Sequence, residues 1–146
     1  MDRGVAVVLT AAVGGLIALQ APVNSLLGHR TGTVTAAVVS FTIGTVALIG
    51  IALVSGGLGG VAAVRSMPWY YLIGGLLGAA YVTCVLVTVR TLGAGGVTAA
   101  TIAGQLTMSL VVDQLGILGV EQKPITFGRA VGVGFLAIGT YLVVRE

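Results

Sequence analysis

Asp113 is the one acidic residue that falls well inside an apolar stretch of this 146-residue chain. A carboxylate at the centre of a membrane helix costs about 3 kcal/mol on insertion scales, so such a group must face protein or water. Its neighbours extend the pattern. Thr98, Thr101, Gln105, Ser109 and Asp113 follow one another by three, four, four and four residues. At about 100° per residue, all five lie within an arc of roughly 120° on one helix. The rest of that segment is chiefly Ala, Ile, Leu, Val and Met, with Gln114 near its end. Two readings fit a polar stripe of this kind: a helix lining an aqueous cavity, or a helix bonded to its neighbours, at under about 1–2 kcal/mol per contact. The stripe as a whole favours the cavity. Ser109 alone favours the hydrogen bond.

A second group lies near the N-terminus. Gln20 and Asn24 are four residues apart and share a helix face, with Pro22 between them. Proline has no N–H, which frees the carbonyl of Ala18 four residues earlier. A freed carbonyl beside two side-chain amides makes either a ligand site and hinge, with Pro22 as the helix kink, or a frayed helix end with Asn24 in an interface. These two readings stand level. No nucleophile–base pair is visible, so catalytic residues are not expected. Cys84 is the single cysteine and His29 the single histidine, a set that supports neither a disulfide nor a metal site. No cofactor is expected, and no nucleotide-binding loop is visible.

Composition decides which elements hold these residues. Apolar residues make up 57% of the chain and charged residues 8%, and the mean hydropathy is +1.13. So few charges could not cover a soluble domain, whose charged fraction is about a quarter. Coiled coils and disordered chains are excluded on the same ground. The seven Lys and Arg outnumber the four Asp and Glu but never form a patch, so no nucleic-acid partner is expected. The class that remains is an integral membrane protein, with the lipid bilayer as its surroundings. A spanning helix needs about 20 mostly apolar residues. Five such runs emerge, over 5–27, 34–54, 69–89, 97–118 and 127–144, and short links join them. The runs are continuous rather than alternating, which favours helices over a β-barrel. The expectation is thus an all-α, polytopic protein with a single transmembrane domain over 1–146.

Other features have ordinary membrane explanations. Asp2 and Arg3 precede an apolar run as a signal peptide's charged region would, but the run is too long and lacks a clear cleavage site. Trp69, Tyr70 and Tyr71 open the third run and suit an interfacial aromatic belt better than a substrate box. Small-xxx-small pairs at Gly74/Gly78, Ala100/Gly104 and Gly128/Gly132 suit general helix packing.

Five spans put the termini on opposite sides. Arg3, Arg65, Lys123 and Arg129 would share the N-terminal side, and Arg30, Arg90 and Arg145 the other. Four cations against three is almost no bias under the positive-inside rule. Either a partner subunit fixes the orientation, or the chain inserts both ways and opposed copies pair. Many transporters contain two halves related by a two-fold axis in the membrane plane, which an odd number of spans supplies naturally.

The segments Gln20-Ala21-Pro22-Val23-Asn24, Ser40-Phe41-Thr42-Ile43-Gly44, Pro68-Trp69-Tyr70-Tyr71-Leu72-Ile73-Gly74-Gly75 and Gly104-Gln105, with Asp113-Gln114-Leu115-Gly116, resemble the YdcZ-like family of the drug/metabolite transporter superfamily. The resemblance spans nearly the whole chain. It implies a bacterial inner-membrane protein forming half of an inverted-repeat, ten-helix transporter, as single or paired five-span chains or as a fusion. It transfers no binding residue. The related small multidrug resistance proteins carry a carboxylate in their first helix, which the first run here lacks.

The leading expectation is a secondary transporter, an exporter of a small metabolite or drug-like compound. It would work by alternating access in an antiparallel homodimer or a heterodimer with a sister chain. Asp113 is the candidate coupling residue, and as a structural acid it would pair with Arg129 or Lys123. Gln105, Gln20 and Asn24 are the expected polar contacts to substrate, with Thr101 and Ser109 beside them. A small dual-topology ion channel and an accessory membrane subunit are the alternatives.

Overall fold

The computed structural model describes residues 2–145, and among these every regular element is helical. Helix α1 covers Arg3–Thr31, α2 Thr33–Ser55, α3 Ile73–Leu115 and α4 Phe127–Val144. A 3-10 segment, Gly57–Ser66, and a 3-10 turn, Trp69–Leu72, connect α2 to α3. Four stretches are long and apolar enough to cross a bilayer: Arg3–Thr31, Thr33–Ser55, Trp69–Leu115 and Phe127–Val144. Their large apolar side chains point outward, as with Leu16 at 67%, Leu48 at 68% and Phe135 at 71% exposure. In water such surfaces would associate, whereas in a bilayer the acyl chains cover them.

The chain divides into two compact units, Met1–Arg90 and Thr91–Glu146. In the first, α1 and α2 pack as a hairpin. The link expected over Gly28–Thr33 shrinks to Gly32, because His29, Arg30 and Thr31 continue the helix. Gly32 alone takes a positive φ, 88°, and its N–H bonds to the Gly28 carbonyl at 2.9 Å. Glycine adopts this conformation without a Cβ penalty. The core of this unit is small. Ala36, Ala37, Val82 and Leu86 form it, with Leu27 and Tyr81 packed alongside. Alanine on α2 lets the helices approach closely, so dispersion contacts replace the missing hydrophobic drive. Among the small-residue pairs, Gly78 shows a close approach, since a Cβ there would lie 3.5 Å from Phe41.

Helix α3 departs from expectation. The spacing predicts an open link over Arg90–Gly96, but the chain stays helical there except at Gly93, whose φ of 67° and ψ of 172° break the run. That conformation is essentially confined to glycine. Leu92, Ala94 and the residues around them have no reason to leave the helix, so the break narrows to one residue.

The second unit is a hairpin of Ala94–Leu115 and α4. Thr140 Oγ1 donates to the Ala99 carbonyl at 3.1 Å, and a Cβ on Gly96 would lie 3.6 Å from Val144. Helix α3 ends at Leu115, three residues before the expected Leu118, because Gly116 takes φ 60°. Its N–H bonds to the Val112 carbonyl at 3.0 Å and closes the last turn. The start and end of α4 agree with the expected span.

Candidate functional site

The end of α3 and the start of α4 build the more open of two polar sites. The connector between them folds back onto α3. The Lys123 N–H donates to the Asp113 carbonyl at 2.8 Å, and Ile125 N–H to Gln114 Oε1 at 2.7 Å. Gln122 Nε2 donates to the Gln114 carbonyl at 2.9 Å. Gln114 therefore holds the connector from both sides, a role its place near the helix end did not reveal. Helix α4 then begins at Thr126, whose hydroxyl accepts from the Arg129 N–H at 3.4 Å.

This fold-back brings Arg129 Nη1 to 3.3 Å from Asp113 Oδ2. Of the two partners expected for the acid, Arg129 takes the carboxylate and Lys123 reaches only its backbone. The distance exceeds the roughly 2.7–2.9 Å of a tight charge-assisted bond. Asp113 keeps 26% of its side-chain surface and Arg129 36%. The carboxylate is thus balanced but still accessible. It opens onto a groove of about 500 Å³ lined by Gln105, Met108, Ser109, Val112, Asp113 and Val120. The lower half of the polar stripe, Gln105, Ser109 and Asp113, lies together in this groove. Thr98 and Thr101 continue the stripe along the helix as half-buried residues outside the groove lining. Such a groove offers one anionic group, one amide and one hydroxyl over an apolar floor of methionine and valine.

The second site lies in the first unit. Gln20 and Asn24, with Ala21 and Ile17, face Tyr81, Val82, Val85 and Leu86 of α3 around a cavity of about 10 Å³. That is close to the smallest volume that holds one water. Asn24 is 7% exposed, and Ser25 beside it is buried as well. Helix α1 runs through Pro22 and on to Thr31, so the proline lies inside the helix rather than at a frayed end. Tyr81 is the residue that sequence reasoning missed, since a lone tyrosine in an apolar run reads as packing. Its facing of Gln20 and Asn24 depends on helix pairing across about sixty residues of chain, for which local spacing holds no signal.

Most threonines inside the helices do not join either site. Thr10, Thr42, Thr83 and Thr107 each donate to the carbonyl four residues earlier, at 2.8 Å. Thr88 does the same toward Cys84 at 3.0 Å. Such bonds satisfy the hydroxyl locally in an apolar medium.

Apolar outer faces and several membrane-length helices define a multi-pass membrane protein, which carries two polar sites. Residues 5–142 match the family model described as "Putative inner membrane exporter, YdcZ", and the chain belongs to that family. Its place is the inner membrane. Comparisons with curated proteins and with solved structures gave no significant match.

Proposed function

We propose that this chain is one half of a secondary transporter that exports a small metabolite or drug-like compound by alternating access. The observation that carries the proposal is the groove of the second unit, where Gln105, Ser109 and Asp113 converge over apolar side chains. A guest with an apolar body and one polar or cationic group complements that lining. Asp113 is the coupling residue in this reading. Its carboxylate stays partly exposed beside Arg129, where a cationic guest can reach it.

The reading includes five crossings. Trp69–Leu115 is 47 residues long, and a straight helix of that length would extend about 70 Å, more than twice the hydrocarbon thickness of about 30 Å. The glycine break at Gly93 divides it into two segments of spanning length. With five crossings per chain, a second copy or sister chain in the opposite sense completes an inverted pair, and the near-equal cation counts permit both orientations.

Reconstitution in liposomes tests the proposal, with a panel of fluorescent drug-like compounds and an entrapped pH dye. The expected result is saturable movement driven by an imposed pH gradient, falling to the protein-free background in Asp113→Asn. Unchanged proton dependence in that variant removes the coupling role. Single-channel currents far above carrier turnover would replace the transporter with a channel.

A further inference from the structure

The first unit contains an arginine that neither polar site uses. Arg90 Nη2 lies 3.1 Å from the position a Cβ on Gly28 would occupy, and Leu86 Cδ2 and Ala36 Cβ lie 3.5 and 3.6 Å from that same position. The guanidinium therefore rests on bare α1 backbone at the junction of α1, α2 and α3. Gly28 is buried, and a Cβ there would press on the guanidinium, which would have to give by a few tenths of an ångström.

Within this unit the charge near it is one-sided. His29 and Arg30 follow Gly28 in the last turn of α1. The one acid of this unit, Asp2, precedes α1 at its opposite end, about 39 Å away along the helix axis. Among the described residues the one ion pair is Arg129 with Asp113, in the other unit. A guanidinium has five N–H donors in a planar fork suited to an oxyanion. Below Gly28 on the same face of α1, at steps of four, come Asn24 and Gln20, the two amides of the small cavity. One helical turn, about 6 Å, separates Asn24 from Gly28 along the axis. The column Gln20, Asn24, Arg90 thus presents donors throughout and no carboxylate.

We propose that Arg90, seated over Gly28 with the Asn24 amide one turn below, forms a binding site for an oxyanion, either carboxylate or phosphate. The oxyanion comes from a soluble molecule or from a phospholipid headgroup, since both present the same planar or tetrahedral oxygens. The site is independent of the groove at Asp113, and its test reads binding rather than transport.

The purified full chain is compared with Arg90→Gln and with Arg65→Gln, which removes the same charge elsewhere. The soluble arm measures melting temperature against inorganic phosphate and benzoate at matched ionic strength. The lipid arm measures phosphatidylglycerol retained in native mass spectra, with phosphatidylcholine as control. A soluble source gives a saturable rise in melting temperature that Arg90→Gln weakens at least about tenfold, as loss of hydrogen bonds to a charged group implies, while Arg65→Gln keeps it. A lipid source gives phosphatidylglycerol retention that follows the same pattern. Should Arg90→Gln fail to fold, Arg90→Lys keeps the charge, removes the fork and is expected to weaken the same signal severalfold. The proposal is overturned if Arg90 and Arg65 variants behave alike in both arms, or if Arg90→Lys binds as the unaltered chain does.

Discussion

Asp113 and Arg129 each sit at the unfavourable end of their own helix. The acid lies in the last turn of α3, where the carbonyls already carry partial negative charge, and the arginine in the first turn of α4. Either misplacement costs about 0.3–1 kcal/mol near the surface. The pair offsets the cost, but stability alone would favour the opposite arrangement. Exchanging the two tests this. Asp113→Arg alone leaves two cations facing each other and is expected to lower the melting temperature. Adding Arg129→Asp restores the pair with both dipole terms favourable, raising stability by about 1 kcal/mol over the starting protein. Thermal unfolding in detergent measures it. Proton-driven flux in liposomes is expected to stay lost in the double variant despite its stability, and recovery of flux would show that any ion pair suffices.

At the scale of the helices, glycine conformation decides where segments end. Gly93 has φ 67° and a Cβ there would touch nothing, whereas Gly104 is helical and also surrounded by open space within the chain. Alanine at 93 is therefore strained by about 1–3 kcal/mol. Alanine at 104 is expected to stabilise by about 0.5–1 kcal/mol through helix propensity. Melting temperatures of the two variants should move in opposite directions. A loss at Gly104→Ala would mean that another surface packs on that face. The apolar runs and the bounds of α4 were legible because composition and length suffice for them. The polar stripe was legible because its residues share one helix, as was the choice of Arg129 or Lys123 beside Asp113. The narrowing of the Gly28–Thr33 and Arg90–Gly96 links to Gly32 and Gly93 was not, since each stretch holds more than one glycine and spacing alone does not say which takes a positive φ. Nor were Tyr81 opposite Gln20 and Asn24, or Thr140 on Ala99, which arise only when helices pair.

For the molecule as a whole, the scarcity of interior is the main physical fact. Leu86 is the one large side chain fully buried among the described residues, and most of the large apolar side chains stay exposed. Under the proposed five crossings the cations divide four against three between the two faces, too even a split to set one orientation by itself. His29 is exposed, at the end of α1. His29→Cys, in a Cys84→Ser background because Cys84 is itself exposed and free, reports orientation through a membrane-impermeant maleimide. An inverted pair is expected to label from both faces of the membrane. Labelling from one face alone excludes dual insertion and leaves only a fixed partner to supply the missing half.

The threonine hydroxyls turned back onto their own helices have a consequence for selectivity. None of them lines either site, and carboxamides are prominent among the neutral groups there, Gln105 in one and Gln20 with Asn24 in the other. A carboxamide offers an acceptor on one side and a donor on the other, and half a turn about its last bond swaps them. A site read by such reversible groups would discriminate poorly between guests of opposite hydrogen-bonding sense.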